Sequence, residues 1–161
     1  MRFFFLYMMY VLLLACQQNE GHFTMMEKQI DSQSKRIDST YSPGLGEFMV
    51  SMQLHHSKLW FAGKNGNWEL ANFELGEIRE TLEDIQHYNR DRPEVKELPM
   101  IFSPLDSLKS AIGSKDLIAF NRSYILLTTT CNNCHQSTKH GFNKIKIPEI
   151  PPVTDQVFDK P

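Results

Sequence analysis

The chain has little charge imbalance, few cysteines and no apolar run long enough to cross a bilayer. Lys and Arg total 17 against 19 Asp and Glu, for a net charge of -2. That balance carries no polycation or polyanion signal and excludes nucleic acid as an expected partner. The uncharged stretch Phe3 to Leu14 falls short of the about 20 apolar residues that a spanning helix needs. No internal repeat is visible. No acid/base pair or nucleophile arrangement stands apart from the Cys/His motif described below, so an enzyme is not expected. The three cysteines, Cys16, Cys131 and Cys134, are too few for a disulfide framework.

The N-terminus reads as an export signal. Met1-Arg2 gives the positive start, and Phe3 to Leu14 the apolar h-region. It ends in Leu13-Leu14-Ala15-Cys16, which resembles the lipobox of bacterial lipoproteins. The resemblance implies cleavage after residue 15 and lipidation of Cys16. An ordinary signal peptide or an uncleaved anchor is the alternative. Gln17 is not the usual inner-membrane retention signal, which points to the periplasmic side of the outer membrane. Residues 16–42 are then a polar, lipidated, flexible tether, with transient helicity from Met25 to Ile37.

Four helical patterns follow from Pro43. The first covers Leu45 to Ala62 and stops at Gly63, with Leu45, Met49, Met52, His56 and Leu59 on one face. Lys64 to Asn67 is a turn, and Asn67 an N-cap. The second, about Trp68 to Arg90, carries Trp68, Ala71, Leu75, Ile78, Leu82 and Ile85 at the spacing of a bundle seam. Pro93 and Pro99 bracket a loop. Ser103-Pro104 has the form of a helix start, ending at Gly113. Ser114 caps a fourth helix from Lys115 to about Ser137. Its buried stripe is Leu117, Phe120, Tyr124, Leu127, Cys131 and Cys134 or His135. Prolines 148, 151 and 152 make the tail, 148–161, extended. The expected fold is all-α: a four-helix up-down-up-down bundle over 43–147.

Cys131-Asn132-Asn133-Cys134-His135 has the C-x-x-C-H form of a c-type haem attachment site. On a helix, positions i, i+3 and i+4 share a face. Two thioether bonds from Cys131 and Cys134 and one iron ligand from His135 can therefore hold one flat macrocycle. The alternatives are a thioredoxin-like dithiol and a zinc site. The first belongs at a helix N-terminus, where the dipole activates a thiol. Here the pair lies near a helix C-terminus. Zinc prefers four ligands, and only His140 is near enough in sequence to join the two cysteines.

A four-helix pattern with C-x-x-C-H near the end of its last helix resembles the cytochrome c-prime family. It is also similar to small exported cytochrome-like proteins of bacteria. The matching stretches are Leu45 to Met49, His56 to Gly63, Asn67-Trp68 and Cys131 to His135. The resemblance implies a periplasm-side protein with one covalent haem c and His135 as proximal iron ligand. In an up-down-up-down bundle the start of the first helix lies beside the end of the fourth, which makes Met49 the expected distal ligand. Met52, His56 and an open sixth position are the alternatives. A core role is the simpler reading of His56, and His55 is expected on the surface. Phe120 and Tyr124 are expected to pack under the macrocycle, and Trp60 and Trp68 to be core or haem-packing aromatics. Lys139, Lys144 and Lys146 read as helix-end compensation, or as a weak cationic rim for an acidic partner.

Three functions compete. The leading one is one-electron transfer with redox partner proteins by a lipid-anchored mono-haem cytochrome. The second is five-coordinate haem that binds or senses NO or CO. The third is a non-haem zinc- or disulfide-bearing lipoprotein. Bundles of this type often form homodimers through outer faces, and no residue here fixes that state.

Overall fold

The computed structural model describes Met8, residues 22–37, Thr40, Tyr41 and residues 43–160. Apart from Met8, the proposed signal segment lies outside the described residues, as does Cys16. The chain divides into two units, Met1–Ser42 and Pro43–Pro161. In the first unit, residues 22–37 form one helix with exposed side chains throughout. It carries an i,i+4 ion pair, Lys35 Nζ to Asp31 Oδ2 at 2.8 Å. The helix is longer than the transient helicity that the polar tether pattern predicts over Met25 to Ile37.

The second unit is a helical bundle. Its helices are α1 (Leu45–Lys64), α2 (Trp68–Tyr88), α3 (Pro99–Gly113) and α4 (Leu117–Ser137), with a 3-10 turn over Pro93–Glu97. Among the described residues there is no strand. Each helix packs on the next, and α4 returns to pack on α1. Side-chain pairs fix the directions. Phe48 stacks on Tyr88 while His55 meets Glu74, so α1 and α2 are antiparallel. Trp60 meets Phe120 while His56 meets Thr128, so α4 is antiparallel to α1 as well.

Two turns are built alike. After α1, Gly66 takes φ 73, its N–H donates to Gly63 O, and Asn67 N–H donates to Ala62 O. After α3, Lys115 takes φ 56, its N–H donates to Ile112 O, and Asp116 N–H donates to Ala111 O. Both are Schellman motifs, which satisfy the last carbonyls of a helix. In each, the final residue then caps the next helix. Asn67 Oδ1 accepts from Leu70 N–H, and Asp116 Oδ1 from Ile118 and Ala119 N–H. Asp116, rather than Ser114, is therefore the cap of α4. The short acceptor side chain reaches two orphan amides from there, whereas Ser114 still belongs to the end of α3.

Two further boundaries differ from expectation. α3 begins at Pro99, and Pro104 lies inside it, buried. Pro99 already supplies the fixed φ favoured in a first helical turn, and burial of Pro104 in the core compensates for one missing backbone bond. α1 runs through Gly63 to Lys64. Gly63 is there for space: a Cβ on it would collide with the Phe120 ring. Phe120 is fully buried, stacked by Trp60 and met edge-on by Trp68. This close approach brings α1 and α4 together at the end of the bundle that holds the α1–α2 turn.

The apolar ladders of the sequence become the core: Leu75, Ile78, Leu82 and Ile85 of α2, Leu105, Leu108 and Ile112 of α3, and Phe120, Tyr124 and Leu127 of α4 are all buried. Leu117, expected on that stripe, is 43% exposed because it is the first residue of its helix. A carboxylate is buried with them. Glu74 is fully buried, 2.7 Å from His55 Nδ1 and 3.3 Å from Lys58 Nζ. His55 is thus turned inward rather than outward, because a buried carboxylate needs partners. The tail has no regular structure and runs the length of the bundle. It starts beside the end of α4 and finishes with Phe158 buried against Phe61 and Asp159 O accepting from Asn67 Nδ2. Among the described residues, no helix is long and apolar enough to cross a membrane.

Two glycine-to-alanine changes separate space from propensity. Alanine relieves the helical cost of glycine by up to about 1 kcal/mol. At Gly76, whose added Cβ meets nothing, that gain stands alone, and the variant should be more stable. At Gly63 overpacking of about 1–3 kcal/mol opposes it, so the denaturant midpoint should fall. Urea unfolding of both variants checks the contrast; equal gains would show that the Phe120 approach constrains nothing.

Candidate functional site

At the opposite end of the bundle, a cavity of about 290 Å³ opens between the helices. α1 contributes Leu45, Met49, Met52 and His56 to its wall, and α2 contributes Ile78 and Ile85. Leu98 and Ile101 come from the start of α3, with Arg92 and Glu94 from the connection before it. α4 contributes Leu127, Cys131, Cys134 and His135, and the loop that follows adds Thr138, His140, Asn143 and Ile145. The end of α1 that meets the end of α4 is thus where the sequence pattern put it. Cys131, Cys134, His135 and Met49 all line this one cavity.

The two thiols are not bonded to each other. Burial pushes the Cys131 thiol up to about 12, and the neighbouring Cys134 adds to this. Cys134 is also raised, by burial first and then by the charge of Glu97. A dithiol oxidoreductase requires the reverse, a thiol lowered toward neutral pH. Zinc requires thiolates and further ligands. Among the described residues no three His, Cys, Asp or Glu side chains are grouped to hold a metal ion.

His135 is oriented by the loop behind it. Its Nδ1 lies 2.6 Å from the carbonyl of Asn143. A carbonyl can only accept, so Nδ1 carries a proton, and in the neutral ring Nε2 is then the nitrogen with the lone pair. This is the arrangement that prepares an imidazole for metal ligation. The loop is held in place by a further Schellman motif. Lys139 takes φ 65, and His140 N–H donates to His135 O at 2.7 Å. Asn143 N–H then donates to His140 O at 2.8 Å. Farther along, the Asn132 side chain pairs with both backbone polar groups of Ile145. Asn132 and Asn143 were not singled out in the sequence. The carbonyl that orients His135 is backbone, which any residue supplies.

The cavity wall facing the motif contains two methionines and one histidine. Met52 is buried and Met49 half-buried. His56 is buried and engaged at both nitrogens: Nδ1 lies 2.9 Å from Tyr124 Oη, and Nε2 lies 3.0 Å from Thr128 Oγ1. Tyr124 Oη also lies 2.8 Å from His56 O and Thr128 Oγ1 3.0 Å from Tyr124 O, so the single N–H of the neutral ring and the two hydroxyl protons are shared among four contacts. A histidine so occupied is not poised to ligate. Tyr124 and Phe120 do not line the cavity. They pack in the closed half of the bundle, with Trp60 4.8 Å from Tyr124 between ring centres. The expectation that they lie under a macrocycle is corrected accordingly. They sit about three and about four helical turns before His135, past the level where the cavity ends.

The residues present fit a covalently held haem. Two unbonded thiols and an imidazole with a free Nε2 share one helix face, beside an apolar space close to the lower end of the about 300–1,000 Å³ usual for cofactor sites. Besides His56 and His135, the lining has two basic side chains, His140 and Arg92, which pairs with Glu94 at 2.9 Å. Arg92 holds the Glu94 carboxyl below its ordinary value, chiefly by this hydrogen bond. No family model, curated protein or solved structure matches the chain.

Burial lowers His56 from its ordinary 6.5 to about 4. Below 6.5 the unfolded chain takes up a proton that the folded ring refuses. Stability from this group is therefore complete above pH 6.5 and declines as the pH falls toward 4. The total loss is about 3 kcal/mol, at about 1.4 kcal/mol per pH unit. Urea unfolding at pH 7 and pH 5 should show this decline in the parent and a smaller one in His56→Asn. An identical slope in the two would mean that His56 is not a buried neutral ring.

Proposed function

We propose that this chain is an exported, lipid-anchored mono-haem c-type cytochrome that transfers single electrons. The observation that carries the reading is the meeting of Cys131, Cys134 and His135 at one cavity, with the His135 tautomer already set for ligation through Nε2. Haem iron held there supplies a one-electron couple, and a His/Met ligand pair raises its potential. Cys131 and Cys134 would hold the haem through thioether bonds. His135 would be the proximal ligand and Met49 the distal one. Met49 is favoured over His56 because His56 would first have to give up its bonds to Tyr124 and Thr128. Arg92 and His140 would hold the propionates.

The chain's own residues perform the supporting work. The apolar wall of Leu45, Ile78, Ile85, Leu98, Ile101 and Leu127 would keep water from a haem held there and so limit reorganisation around a changing charge. The carbonyl of Asn143 keeps the His135 ring in one orientation. Lipidation at Cys16 would place the domain on the periplasmic face of a membrane, with the outer membrane favoured by Gln17. Redox proteins are the expected partners, and no enzymatic turnover is proposed.

The test is spectroscopic. The mature protein, made in a host with haem-maturation machinery, should gain the mass of one haem and give a pyridine spectrum of two thioether links. Cys131→Ser with Cys134→Ser should lose both signals. The ferric wild type should be low-spin with a methionine-to-iron charge-transfer band in the red. Met49→Ala should lose that band, become high-spin and bind CO faster. High-spin haem with rapid CO or NO binding in the wild type would move the function to gas binding. A mass without the haem increment would end the cytochrome reading.

A further inference from the structure

We propose that Asn132, one of the two variable residues of the C-x-x-C-H motif, is a positioning residue for His135. This role deepens the haem reading given above. Its amide acts as a two-point backbone clasp. Oδ1 accepts from Ile145 N–H at 2.8 Å, and Nδ2 donates to Ile145 O at 2.8 Å. Two roughly parallel bonds to one residue fix both its position and its rotation. Ile145 lies two residues beyond Asn143, whose carbonyl receives the His135 Nδ1 proton at 2.6 Å.

The loop between α4 and this clasp is therefore pinned at both ends. Its start is fastened by His140 N–H to His135 O at 2.7 Å, and its middle by Asn143 N–H to His140 O at 2.8 Å. Its far end is fastened by Asn132. With both ends fixed, the Asn143 carbonyl cannot drift from the ring. Asn132 and His135 are three residues apart and so are neighbours on one side of the helix. The clasp and the ligand move together as one rigid unit of α4.

The residue type follows from the chemistry. The clasp needs one donor and one acceptor in a plane, which asparagine supplies in a short side chain. Aspartate keeps the acceptor and sets a second acceptor against Ile145 O. Serine reaches one partner at a time. The other intervening residue, Asn133, is exposed. A ring whose Nδ1 proton is held by a fixed acceptor is a more basic ligand. Losing the clasp should weaken that acceptor and raise the reduction potential of a haem ligated by Nε2.

The experiment compares mature wild type with Asn132→Ala and Asn132→Asp, labelled with 15N at histidine and backbone. Exchange of the His135 Nδ1 proton should accelerate at least tenfold in both variants, and that of Ile145 N–H at least tenfold in the alanine variant and less in the aspartate variant, which keeps its acceptor. The Leu127 amide, in the core of α4, should exchange as in wild type. The reduction potential of the haem-loaded variants should shift upward. Unchanged Nδ1 and Ile145 exchange overturns the proposal, as does acceleration shared equally by Leu127, which would signal general loosening. If the alanine variant does not fold, the isosteric aspartate variant decides by the same readouts. The exchange arm needs no haem, so a protein that carries none still tests the clasp while failing the cytochrome reading.

Discussion

The seam between α1 and α4 governs this domain, because it is closed in one half and open in the other. Closure comes from Phe120, whose ring occupies the place a Gly63 side chain would take. Trp60, Tyr124 and His56 extend the closed half along the helices. Interiors pack at crystal-like density, so a seam this tight has no room for a ligand. From Met52 outward the partners change. Methionines and branched aliphatics on one side face two thiols and an imidazole on the other. The His56 network stands at the boundary. It gives the ring and both hydroxyls partners at the point where the packing stops, and buried polar groups left without any would be expensive there.

Connections matter as much as packing. Three of the described helix ends use the same Schellman geometry, with two different outcomes. Asn67 and Asp116 become caps that start the next helix at once. His140 has no helix to start. It sends the chain back across the end of α4, where Asn143 receives the His135 proton. One local solution to unsatisfied carbonyls thus yields two tight helical hairpins and one ligand-orienting loop. The tail then continues to the far end of the bundle, where Phe158 packs on Phe61 of α1 and Asp159 O accepts from Asn67 in the α1–α2 turn.

The sequence was most readable where periodicity or fixed spacing carries the signal. The ladders of α1, α2 and the later part of α4 have the helical period, and they are the core. The C-x-x-C-H spacing specifies a shared face without any knowledge of neighbours. Gly66 announces a left-handed turn. Lys115 does not, because lysine rarely adopts that conformation, and so the boundary between α3 and α4 was placed two residues early. Pro104 resembled a helix start because burial, which overrides its cost, cannot be seen locally. Glu74 was overlooked although a signal existed: it lies three residues after Ala71 and four before Ile78, on the stripe that is buried. A charge on such a stripe implies a partner, and the adjacent helix supplies His55 and Lys58. The orienting carbonyl of Asn143 left no trace, since backbone acceptors have no residue signature.

The open half of the seam also bears on why a cofactor would suit this fold. Apolar walls around unfilled space forgo dispersion contacts and hydrophobic burial. In the outer half of the bundle, α1 faces α4 across the cavity instead of touching it closely. The proposed haem, bonded to α4 at Cys131, Cys134 and His135 and to α1 at Met49, would join the two helices where side chains do not. Distal ligation would then be a crosslink as well as a tuning device. A change in iron–methionine bond strength with oxidation state would act directly on the packing of α1. The closed half, anchored by Phe120 against Gly63, would confine that response to the first turns of the helix. The bundle's asymmetry along its axis is therefore what would let one end respond to the electron while the other keeps the fold.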